Sequence, residues 1–81
     1  MNLYQLRYFS VLAGTQHYGK AAEKLCIAQP SLSHAISQME AELGVPLFEK
    51  VGKSIVLTHY GEQFLACAQQ TLMTLDNGVD A

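Results

Sequence analysis

Between positions 29 and 38 the chain reads QPSLSHAISQ, an uncharged stretch carrying amides, hydroxyls and one imidazole at Gln29, Ser31, Ser33, His34, Ser37 and Gln38. Groups of this kind donate and accept hydrogen bonds, the chemistry that reads base edges in the DNA major groove. Lysines stand on both sides of the stretch, Lys20 before it and Lys50 and Lys53 after it. Ammonium groups on flexible stems suit phosphate oxygens, so the pattern is that of a hydrogen-bonding reader flanked by phosphate anchors. Taken one at a time, each polar residue is more often a solvated surface group than a base contact, and a lone lysine means nothing. Their gathering on one uncharged face carries the reading.

Other chemistries find no such gathering. Cys26 and Cys67 are far apart and in no zinc-ligand or C-x-x-C spacing, which reads as two reduced, buried small hydrophobes, with a redox switch as the minor option. His17, His34 and His59 occur in unrelated contexts, and no glycine-rich phosphate loop or Ser/His/Asp arrangement is present. No catalytic residue, metal or cofactor is therefore expected. Protonation of His34 would strengthen its attraction for a phosphate at mildly acid pH.

The elements that must position these groups follow from periodicity. Leu3, Leu6, Phe9 and Leu12 recur at helical spacing after Asn2, a candidate cap, with Gly14 as a stop. YGKAAEKL, from Tyr18 to Leu25, places Ala21, Ala22 and Leu25 on one side of a short second helix. A third helix over about 29–43 has Pro30 in its first turn and Ala28 or Gln29 as its cap. In it Leu32, Ile36, Met39 and Leu43 point inward, whereas Pro30, His34, Ser37, Gln38 and Ala41 point outward, with Ser31 and Ser33 on the flanks.

Beyond Gly44 and Pro46, the runs LFEKV and SIVLT around Gly52 and Lys53 predict a two-stranded hairpin over 47–58. Thr58 caps a last, long helix from about His59, with Glu62 close to the capping-box position. On that helix Gly61, Leu65, Ala68, Leu72, Leu75 and Val79 step by four and three, a coiled-coil-like seam for a partner. A second line, Tyr60, Phe64, Cys67 and, as an optional last member, Thr71, is expected to dock the helix on its own domain. Two short helices joined by a brief turn, then a hairpin with a basic tip, predict a mainly α, winged helix-turn-helix: a three-helix core plus a two-stranded β wing. Residues 1–58 form that domain and 59–81 a linker/dimerisation helix.

Eighty-one residues leave room for one core and little for a catalytic cleft. At 49% apolar and 15% charged the chain has the composition of a folded protein, not of a disordered tail. It has no membrane-length apolar run and no signal peptide at its start, which predicts a cytoplasmic protein. The net charge of −2 sits awkwardly with DNA binding, yet it is unevenly spread: residues 1–38 balance to +2 and residues 39–81 to −4.

AAEKLCIAQPSLSHAISQMEAELGVPLFEKVGKSIVLTHYG closely resembles the N-terminal signature of LysR-type transcriptional regulators, and the likeness extends over essentially the whole chain. The resemblance implies that Gln29, Pro30, Ser31 and His34 lie at the DNA-facing start of a recognition helix and that Lys50 and Lys53 occupy wing positions often basic in the family. It departs from the pattern at His17 and Gly19, where the family often has Ser and Thr, and at His34, where it often has Arg. It further implies a homodimer through the last helix, using Leu65, Ala68, Leu72, Leu75 and Val79, and an interrupted inverted repeat in double-stranded DNA as target. Family members also carry a C-terminal small-molecule-sensing domain, so an effector belongs only to a longer protein. The rival readings are an enzyme, for which no constellation speaks, and a winged-helix protein-interaction module that leaves DNA alone, for which the acidity speaks.

Overall fold

The computed structural model describes residues 1–80, with side chains described as far as Leu75. Four helices and one hairpin follow in order: α1 (Leu3–Thr15), α2 (Tyr18–Leu25), α3 (Gln29–Leu43), β1 (Phe48–Val51), β2 (Ser54–Leu57) and α4 (His59–Asp80). This is the three-helix body, wing and long final helix that the periodicity predicts.

Helix α1 starts in a full capping box: the Gln5 amide donates to Asn2 Oδ1 at 2.9 Å and the Asn2 amide to Gln5 Oε1 at 3.1 Å. Gly14 does not stop it. The helix runs through Thr15, and Gln16 takes the left-handed conformation (φ 57°), its N–H closing on the Leu12 carbonyl. Only Gln16 and His17 separate α1 from α2, so the reversal falls on a non-glycine residue while His17 stays extended to cap the next helix. Cys26 likewise adopts left-handed geometry (φ 57°) to end α2. Both cysteines are exposed, contrary to the expected buried roles. A left-handed C-cap turns its side chain off the helix, and Cys67 lies on the outer side of α4.

The core joins Phe9, Leu12, Ala21, Ala22, Leu32, Ile36, Met39, Leu47, Ile55 and Ala68. The small Ala21 and Ala22 let α2 lie close against its neighbours. Leu32, Ile36 and Met39 point inward as predicted, but Leu43 is 38% exposed. It falls one turn beyond Met39, on the rim of an open groove shared with Tyr60 and Phe64 of α4, and Ala35 is the further buried member of α3. Phe9 holds the body together with its surroundings, its ring meeting Phe48 of the wing at 5.4 Å and Phe64 of α4 at 5.2 Å between centroids.

The hairpin is antiparallel, with Phe48 opposite Leu57 and Lys50 opposite Ile55. Its root is tied on both sides. Glu40 of α3 accepts the Leu47 amide at 2.7 Å, and the Leu47 carbonyl accepts the Thr58 amide at 3.0 Å. Thr58 caps α4 through the Gly61 amide at 3.0 Å and donates its hydroxyl to the Pro46 carbonyl at 2.6 Å. Gly61, not Glu62, therefore holds the third helical position, and no side chain there can complete a capping box.

The expected division of α4 into a docking line and a partner line does not hold. Gly61 and Ala68 are buried, with Leu65 and Phe64 packed on the core, whereas Tyr60 and Cys67 are exposed. The core thus continues past residue 58, and half of the predicted seam is consumed within the chain. The reason is steric: α4 crosses the Leu47 backbone at Gly61, which turns the small-residue side of the helix inward. Val79 lies outside the described side chains. Among the described residues no helix is long and apolar enough to cross a membrane.

A Cβ at Gly61 would overlap the Leu47 carbonyl oxygen and stand 2.9 Å from Leu57 Cδ2. Gly61→Ala is expected to lower stability by about 1–3 kcal/mol with helix content retained, measured by urea unfolding followed by circular dichroism.

Candidate nucleic-acid interface

Helix α3 presents its first turns to solvent. Gln29, Pro30, Ser31, Ser33, His34 and Ser37 are all exposed. Ala28 caps the helix by backbone geometry alone, without a side-chain hydrogen bond. The amides at this end are therefore not covered by a capping side chain, and the local dipole favours an anion beside them. Buried Leu32, Ala35, Ile36 and Met39 fix the rotation of the helix, so its polar face is set by packing rather than by the polar residues themselves.

The wing brings Lys50 and Lys53 to the same side. Both line a cleft of about 270 Å³ with Gln29 of α3, Gln16, His17 and Tyr18 of the α1–α2 junction, and Ile55 of β2. Lys50 reaches it because the register pairs it with Ile55, on the face of the hairpin that also carries Phe48 and Leu57.

The structure does not draw every predicted residue into this cluster. Lys20 is exposed in the first turn of α2 but does not line the cleft. Gln38 lies at the far end of the α3 face, accepting from Gln5 Nε2 at 3.2 Å beside the ion pair between the Met1 ammonium and Glu42 at 2.9 Å. Pairing with Gln5 holds Gln38 toward α1.

Two participants escaped sequence reasoning. His17 caps α2, its Nδ1 accepting the Lys20 amide at 3.1 Å, and borders the cleft; its signal was its place just before the helical run YGKAAEKL. Glu40 sets the position of the wing, and its only sequence signal was an acid placed ahead of the Gly-Val-Pro turn. Among the described residues no three His, Cys, Asp or Glu side chains gather as a metal site.

A helix-turn-helix with a basic two-stranded wing beside an exposed polar helix start defines a winged-helix protein of the nucleic-acid-binding type. The comparisons agree and narrow it. Residues 3–62 match the family described as bacterial regulatory helix-turn-helix protein, lysR family. The HTH-type transcriptional regulator YybE of Bacillus subtilis is 47% identical over 91% of this chain and 25% of its own length. Among solved structures, the BenM DBD/benA site 1 DNA complex superposes with a TM-score of 0.94 at 41% identity, covering 99% of this chain and 93% of that one. The CbnR DBD–DNA complex gives 0.93 at 34% identity, covering 99% and 92%. The chain belongs to the LysR family of bacterial regulatory helix-turn-helix proteins. It spans about a quarter of the length of the curated relatives it matches.

Tyr18, on the cleft wall, is partly buried, which raises its phenol above the ordinary value of 10.0, and the negative charge of Glu40 adds to the rise. The folded chain therefore holds this proton more tightly than the unfolded chain, and the resulting stability is lost as pH rises above about 10. Tyr18→Phe should show a smaller alkaline loss of stability, read from urea midpoints on either side of that pH.

Proposed function

We propose that this chain is the sequence-specific double-stranded DNA-binding part of a LysR-type transcriptional regulator. Helix α3 enters the major groove, and the wing over 47–58 lies along the backbone. The observation that carries this reading is the uncharged, exposed start of α3 on the same side as Lys50 and Lys53. The BenM and CbnR structures, similar over nearly the whole chain, are complexes with DNA. In this role Ser31, Ser33, His34 and Ser37 meet base edges, Gln29 and Pro30 sit at the helix entry, Gln38 supports the face, and Lys20, Lys50 and Lys53 meet phosphates.

The chain acts as a homodimer through α4. Leu65 and Ala68 face its own core, so the pairing surface is the remaining strip about Leu72 and Leu75, with Val79 continuing it in sequence. Leu75 is 38% and Met73 64% exposed, a large apolar share for a solvated helix face. A two-fold dimer sets its recognition helices about 34–36 Å apart, or a multiple of that, and so reads an interrupted inverted repeat. Residues 59–81 link this module to an effector-sensing domain in a longer, cytoplasmic protein with no enzymatic role of its own. The net charge of −2 favours the rival reading, a protein-interaction module.

Selection of sites from a random duplex pool, followed by salt titration of the winning sequence, separates the two. An enriched inverted repeat with steep salt dependence is expected. No enrichment at low salt from folded chain would overturn the DNA reading and leave the rival. Lys50→Ala and Lys53→Ala should each reduce the slope of log K against log salt by about 0.9 and leave the preferred sequence unchanged. Leu75→Asp should weaken dimerisation in analytical ultracentrifugation and binding with it.

A further inference from the structure

The cleft between the start of α2 and the wing has a lining of one electrostatic sign. Gln16, His17, Gln29, Lys50 and Lys53 supply its polar groups, Tyr18 and Ile55 belong to its wall, and no carboxylate is in its lining. Two ammonium groups with no carboxylate in the lining beside them make it a seat for an anion.

His17 has a defined chemical form there. Its Nδ1 accepts the Lys20 amide at 3.1 Å, and an imidazole nitrogen that accepts a hydrogen bond carries no proton. The ring in this arrangement is neutral and protonated at Nε2, which makes Nε2–H its donor. Its position depends on the residue two places on. A Cβ at Gly19 would stand 3.0 Å from His17 Cε1, 3.3 Å from Nδ1 and 3.7 Å from Gln29 Oε1. The bare backbone at Gly19 leaves the imidazole room to lie over the first turn of α2, toward Gln29. His17 and Gly19 thus form one unit in which the second residue makes space for the first.

We propose that His17 is a DNA-backbone ligand: its Nε2–H donates to a phosphate of the duplex seated in this cleft beside Lys50 and Lys53, with Gly19 keeping the ring in place. The proposal rests on the DNA-binding reading above and adds a neutral ligand to its cationic ones. A neutral donor strengthens binding without releasing a counterion, and this separates it from a lysine in measurement.

The test uses the sequence selected above. His17→Ser retains a good helix cap, so the fold and its unfolding midpoint should persist, but the shorter side chain lacks the reach of the ring. Affinity should fall about three- to tenfold, the effect of one hydrogen bond, with the salt slope unchanged. Gly19→Ala should lower affinity when His17 is present and have no effect on affinity in the His17→Ser background. Nitrogen-15 NMR of the histidine ring should show the Nε2–H tautomer in the free chain, and the Nε2 signal should shift on adding duplex. Inorganic phosphate at equal ionic strength should leave it in place.

Unimpaired binding by His17→Ser, or an equal effect of Gly19→Ala in both backgrounds, reduces His17 to a helix cap and overturns the proposal. An equal response to inorganic phosphate makes the cleft a general anion site and overturns the assignment to the duplex. Failure of the folded wild-type chain to bind any duplex overturns the DNA reading itself, and the role of His17 with it.

Discussion

The peptide of Leu47 is where the three parts of the molecule are fastened. Its N–H is taken by Glu40 at the end of α3, its carbonyl takes the amide of Thr58 at the head of α4, and its side chain is fully buried. A two-stranded hairpin has little stability of its own, so the wing holds its attitude only through such anchors. Gly61 lets α4 press against the same carbonyl, and Phe9 meets wing and helix from the other side through Phe48 and Phe64. The relation of the wing lysines to the start of α3 is a product of this junction.

 

The helices were legible in the sequence because their apolar spacing is a property of the chain itself. Phe9, Leu12, Leu32, Ile36 and Met39 repeat at helical intervals and are all buried. What periodicity does not carry is where a neighbour ends. Leu43 keeps the spacing but lies on the rim of an open groove beside α4, and Gly14 looks like a stop although the reversal falls on Gln16. The two lines of α4 were told apart by their spacing along the helix, whereas the structure sorts them by size at the Leu47 crossing. Among the side chains that act on backbone amides, Asn2 and Thr58 were legible as helix caps, whereas His17 and Glu40 were not.

The candidate interface separates two tasks that a basic helix would combine. The exposed first turns of α3 carry no formal charge, while the cations near them sit on the wing and on α2. Most of the acids lie in the second half of the sequence. A chain with a net charge of −2 can in this way keep a local positive field beside an uncharged reading face.

That separation bears on how such a protein would search a chromosome. Attraction to arbitrary DNA grows with the number of phosphates neutralised, and few cations surround this face. For the DNA binding proposed above, each non-cognate encounter is brief, and the search proceeds by frequent release and recapture instead of long sliding. Pairing two such modules on one repeat then supplies the residence time that a single module lacks.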